Sequence, residues 1–103
     1  MLMTAREEPK CVLIAADDPA IRAFTRNSLI AESRYLFDCK VEDIAAVVRS
    51  VKIDVVVVIG ERTAALVESL RSALAGARIP SRRIAVVTNA ADARAVALQA
   101  LAD

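Results

Sequence analysis

The residues of this chain with the capacity for chemistry stand at the ends of short apolar runs. Cys11–Ala16 (CVLIAA) leads into Asp17 and Asp18. Ile53–Glu61 (IDVVVVIGE) ends on Ile59, Gly60 and Glu61, and Ile84–Thr88 (IAVVT) ends on Thr88. Asp17 and Asp18 offer oxygen ligands of the kind that hold a hard cation. One or two carboxylates alone bind Mg²⁺ weakly, because that ion keeps its waters and wants several oxygens. Asp18 also stands directly before Pro19, the cap-then-proline order that starts a helix. Asp18 is therefore expected to be a cap, with Asp17 left as the acid of any pocket. Ile59 occupies the carboxyl end of the most apolar run, where an acid or a nucleophile would be needed, and it is neither. Thr88 is expected to be a strand-terminal hydroxyl bonded to nearby backbone. No catalytic residue, metal site or cofactor is expected beyond weak Mg²⁺ at Asp17.

The remaining polar candidates have simpler readings. Glu61 and the pair Arg82-Arg83 read as solvated loop charges. Asp54 opens the central run and so lies at the end of the sheet opposite Ile59. Cys11 and Cys39 have no histidine in the chain and no C-x-x-C spacing. They read as reduced thiols on neighbouring strands rather than as a disulfide or a metal pair.

Positioning these residues falls to one domain, since 103 residues suffice for a single core and not for two. The chain is 56% hydrophobic with only 3% aromatic residues, so Val, Ile, Leu and Ala must fill that core. A formal net charge of +1 argues against a surface dedicated to nucleic acid or to a membrane. No apolar run approaches the length of a membrane span and the N-terminus is charged, so a cytoplasmic protein is expected.

Val55–Ile59 is five β-branched residues without alternation, which predicts a strand covered on both faces in the middle of a parallel sheet. Residues 1–10 read as a charged tail and 11–103 as the domain. Cys11–Ala16 predicts another buried strand. Ala20 to about Glu32 predicts a helix with Ile21, Phe24 and Leu29 inside and Arg22 and Arg26 outside. Leu36–Val41 alternates, with Phe37, Cys39 and Val41 on one face, as an edge strand does. Ile44, Val47, Val48 and Val51 form a helical stripe, and Leu66, Leu70, Ala73 and Leu74 form another that stops at Gly76. Pro80-Ser81 reads as a loop. Ile84–Thr88 predicts a fourth strand, and Asn89 the cap of an alanine-rich last helix, Ala90–Ala102, with a shallow buried face. The β-α alternation with right-handed crossovers predicts an α/β fold, a flavodoxin-like doubly wound parallel sheet of strand order 2-1-3-4.

The segments CVLIAADDP, IDVVVVIG and IAVVTN, in that order, resemble the receiver domain of two-component response regulators, in tone the receivers of LuxR-type regulators. The resemblance covers about Lys10 to the C-terminus. It implies an acid pocket at Ala16-Asp17 or at Asp17-Asp18, a phosphoacceptor position at Ile59, and a switch hydroxyl at Thr88. A receiver's lysine and switch aromatic lie on a fifth strand that this chain lacks. Phosphotransfer to a carboxylate needs a nucleophilic Asp, a held Mg²⁺ and a cation beside the phosphoryl oxygens. Ile59 supplies no nucleophile, so the resemblance implies a signalling module that is not phosphorylated and that dimerises or gates a DNA-binding output domain. The other reading it leaves is an active Mg²⁺-dependent receiver using Asp17 or Asp18. A Glu61 that mimics a phosphate, and an anion bound at helix N-termini, are lesser variants. The implied partners are a histidine kinase or an output domain. Without a fifth strand, Ile84–Val87 is an open apolar edge and the surface of a fifth helix is bare. A homodimer through the fourth strand or the last helix is therefore expected.

Overall fold

The β-branched runs form the strands and the amphipathic stretches between them form the helices. The computed structural model describes residues 10–32, 35–76, 79 and 83–102. Its strands are β1 (Cys11–Ala16), β2 (Tyr35–Cys39), β3 (Val55–Ile59) and β4 (Ile84–Val87). Its helices are α1 (Pro19–Leu29), α2 (Ile44–Ser50, entered through a 3₁₀ turn at Val41–Asp43), α3 (Ala64–Leu74) and α4 (Ala90–Ala102). All strand pairs are parallel and the order is β2-β1-β3-β4, as the alternation of elements predicts. None of the described helices is long and apolar enough to cross a membrane.

The two central strands face two separate cores. Val12, Ile14 and Ala16 of β1 and Val55, Val57 and Ile59 of β3 pack beneath Leu29 of α1 and Ala93, Ala97 and Ala100 of α4. Leu13, Ala15, Val56 and Val58 turn to the other face, where Ile44 of α2 and Leu70 of α3 cover them. This explains why the β3 sequence shows no alternation: each of its residues is covered on its own side. The stripes Ile44/Val47/Val48/Val51 and Leu66/Leu70/Ala73/Leu74 both lie on this second core. Phe37 and Cys39 join them from the edge strand β2, and Val41 from the 3₁₀ turn that follows, since the strand ends at Cys39 rather than at Val41.

Three differences from the sequence expectation have physical causes. Phe24 is 59% exposed, and Thr25 takes the buried place on α1. The phase of α1 is set by Ile21, Thr25 and Leu29 at spacings of four, and Thr25 tolerates burial because its hydroxyl donates to the Ile21 carbonyl at 2.9 Å. The second difference is the place of the last helix. α4 lies beside α1 over β3 and β4, so the surface expected to be bare is covered by the chain itself. Alanines at positions 93, 97 and 100 are what allow this close approach, and they hold the buried face where Val and Leu were expected to count. Lys10 is the third. Grouped with the tail by sequence, it is tied to the domain, its Nζ donating to the Leu101 carbonyl at 3.0 Å. That contact places a positive charge at the negative end of α4. Residues 1–9, Pro80-Ser81 and Arg82 lie outside the described residues.

Candidate functional site

Parallel register brings the strand ends together. Ala16 pairs with Ile59 and Ile59 with Val87, so the residues that follow each strand meet at one end of the sheet. Asp17, Asp18, Gly60, Glu61 and Thr88 accordingly line one hollow of about 300 Å³, with Ile21, Val41, Leu66 and Ile59 as its apolar part. Asp17 also borders a larger open groove of about 1030 Å³ between α2 and α3. The structure thus gathers Asp17, Asp18, Ile59 and Thr88, the four residues that the sequence singled out.

Both aspartates are engaged by backbone. Asp18 caps α1: its Oδ1 accepts from the N–H groups of Ala20 at 2.8 Å and Ile21 at 3.4 Å, with Pro19 in the first turn. Asp17 Oδ1 accepts from the Val41 N–H at 3.1 Å, tying the end of β1 to the 3₁₀ turn ahead of α2. Sequence reasoning left Asp17 without such a role, because its partner lies 24 residues away.

Ile59 is 5% exposed and belongs to the core beneath α1 and α4. Its backbone neighbour Gly60 donates to the Val87 carbonyl at 2.8 Å, extending the ladder by one rung. Thr88 is exposed, and its hydroxyl makes no hydrogen bond among the described residues, contrary to expectation. Local capping falls instead to Asn89, whose Oδ1 accepts from Asp92 N–H at 2.8 Å while Nδ2 donates to the Asp92 carboxylate at 3.2 Å. Glu61 is exposed, and its carbonyl accepts from Thr63 N–H at 3.0 Å. Among the described residues no three His, Cys, Asp or Glu side chains stand together as a metal site would require.

One cation at this end of the sheet is a residue that sequence reasoning places on the outside. Arg22 Nη1 donates to the Ala16 carbonyl at 2.7 Å, and its Nε pairs with Asp38 at 3.3 Å. Arg26 reaches the same carboxylate at 3.9 Å. Arg22 is therefore committed to the end of β1 and to β2, not to the hollow. The available signal was Asp38, an acid on the polar face of an edge strand beside a helix carrying two arginines.

At the opposite end of the sheet, Asp54 and Cys11 exchange two hydrogen bonds. The Cys11 N–H donates to Asp54 Oδ2, and the Asp54 N–H donates to the Cys11 carbonyl, each at 2.9 Å. The two thiols are free. Cys39 pairs with Ala15, four residues along β1 from Cys11, and roughly 13 Å of strand is too far for a disulfide. Burial pushes the Cys39 thiol up to about 11, assisted by the carboxylates of Asp43 and Asp38 and opposed by Arg22. Cys11 is also raised, first by burial and then by Asp54, with Lys52 opposing.

The arrangement is a shallow hollow whose acids are held by N–H groups and whose floor is an aliphatic side chain. In comparisons with protein-family models, curated proteins and solved structures, nothing matches the chain.

Proposed function

We propose that this domain is a receiver-like signalling module that does no phosphoryl chemistry and acts by association, with a second copy or with an output domain. The observation that carries this reading is Ile59. The position from which a carboxylate would attack a phosphoryl group holds a hydrocarbon packed into the core. Two further features support it. Asp17 and Asp18 each commit Oδ1 to backbone N–H groups, which ties both carboxylates to structural roles and leaves only Oδ2 of each outside those bonds. The guanidinium of Arg22 is paired with Asp38 and so is not free to meet phosphoryl oxygens. With chemistry set aside, the edge of β4, unpaired among the described residues, offers a means of association, because such edges template pairing with another chain.

One observation favours the other reading, an active Mg²⁺-dependent receiver. Among the described residues the Thr88 hydroxyl has no partner, and it lines the same hollow as Asp17 and Asp18, as a group awaiting a new charge would. Titration with beryllofluoride and Mg²⁺, followed by amide NMR, separates the two. The association reading expects no saturable shift at Asp17, Asp18 or Thr88, and no covalent label from radioactive acetyl phosphate. Stoichiometric labelling that depends on Asp17 or Asp18 would establish the active receiver instead.

A further inference from the structure

We propose that the groove between α3 and the edge of β4, which no other strand pairs among the described residues, receives an extended acidic segment of a partner protein, which joins the sheet as an added strand. The proposal rests on the association reading and gives it a surface and a partner chemistry. The groove holds about 330 Å³, floored by Val67, Leu70 and Leu74 of α3 and by Ile84 and Val86 of β4. Its only charged lining residues are Arg62 and Arg71.

The backbone of β4 is set up for pairing there. The Val87 carbonyl accepts from Gly60, so Val87, and by strand period Ala85, turn their backbone groups towards β3. Ile84 and Val86 then direct their N–H and C=O groups away from β3, while their side chains lie in the groove. A strand laid beside them gains main-chain hydrogen bonds and sets alternate side chains over the aliphatic floor.

Charge selects the partner. Arg22, Arg26 and Arg94 all have carboxylate partners, whereas Arg62 and Arg71 are exposed and have none among the described residues. Between positions 62 and 83 the sequence carries five arginines against Glu68 alone, in a chain of net charge +1. Glu68 lines the other groove, on the α2 side of α3, so the helix presents its positive charge to β4. Arg62 stands two residues ahead of α3 and Arg71 in its last turn, so the rise of about 11 Å from Ala64 to Arg71 makes up most of the spacing between them, of the order of the roughly 13 Å spanned by four strand residues. The fitting segment therefore carries acids four positions apart with an apolar residue midway. A second copy fits less well, because it would bring its own Arg62 and Arg71 to the seam. Nucleic acid fits less well too, since none of the three aromatic residues, Phe24, Tyr35 and Phe37, lines the groove to stack a base.

The test uses an eight-residue peptide with two glutamates four positions apart, a valine midway and threonines elsewhere, titrated into the labelled chain at low salt. The expected result is saturable shifts at Val67, Leu70, Ile84 and Val86 with a Kd under about 1 mM. Exchange of the Ile84 and Val86 amides should slow. Binding should fall at least tenfold in an Arg62→Glu, Arg71→Glu double variant, and should be absent for the peptide with lysines in place of glutamates. No binding, equal binding to the double variant, or tighter binding of a single-stranded oligonucleotide would overturn the proposal. So would a free chain that is already dimeric with those two amides protected. Failure here with the chain still unlabelled by acetyl phosphate removes this groove and leaves the association reading intact, whereas labelling removes that reading itself.

Discussion

At the scale of single residues, Ile59 and Cys39 show how position governs chemistry. Ile59→Asp restores a carboxylate in name only, because the site it enters is part of a hydrocarbon core. Exchanging a buried isoleucine for an acid is expected to cost about 3 kcal/mol or more, through lost packing and an uncompensated polar group. Urea unfolding would show it as a lowered midpoint. An unchanged midpoint together with new Mg²⁺ affinity would mean that Ile59 is not the packing residue described. For Cys39 the raised pKa fixes the sign of a pH effect. Below the ordinary thiol pKa both folded and unfolded forms are protonated, so its contribution is fully present there. As pH rises from about 9 towards about 11 the unfolded thiol ionises first, and that contribution is lost. Stability measured over this range should therefore fall more steeply for the parent chain than for Cys39→Ala, and alkylation of Cys39 at pH 8 should be slow. Asp18 and Asn89 were legible from sequence because a cap acts on residues two or three positions away. Asp17 and Arg22 were not, since the groups that they serve are brought near only by folding.

Among the elements, α4 diverges most from its sequence pattern. Its apolar residues do not gather into a stripe, and a reading weighted by side-chain size finds only Val96, Leu98 and Leu101 to bury. The helix instead uses Ala93, Ala97 and Ala100, whose small size lets its backbone settle close over β3 and beside α1. Arg94 strengthens the second contact, with its Nε donating to the Ser28 carbonyl at 3.4 Å and its Nη2 near Glu32 at 3.9 Å. Enlarging the seam should be costly: Ala97→Leu is expected to destabilise by roughly 1–3 kcal/mol through overpacking. The same change at exposed Ala95 should be nearly neutral, and comparing the two melting curves tests the assignment of faces. The strands were easier to read than this helix. Five covered residues in a row and one alternating segment already encode which strands are central and which lie at an edge. Phe24 is apolar but stands off the inward face of α1, which the spacing of Ile21, Thr25 and Leu29 decides.

For the whole molecule, strand order followed from alternation and handedness, two properties that need no knowledge of side-chain contacts. The side on which the last helix lies did not follow, since either face of the sheet would accept a helix after β4. That choice leaves α2 and α3 opposite α1 and α4, with both central strands enclosed and β4, among the described residues, open along one side. It also removes the outer face of α4 as a greasy contact surface: Asp92, Arg94 and Gln99 are exposed along it. Under the proposed association reading, the strand edge is thus a more apolar contact surface than the outer face of the helix.

The bond from Lys10 to Leu101 has a separate consequence. Positions 10 and 101 lie within one lysine side chain of each other, so the order in which the polypeptide visits its elements is not fixed by the architecture. Splicing residue 102 to residue 10 through a short glycine-serine bridge, and opening the chain after Gly76, should yield a circular permutant with the parent circular-dichroism spectrum and a cooperative melt. By the same geometry the domain is suited to insertion within a loop of a host protein, entering and leaving at nearly the same point.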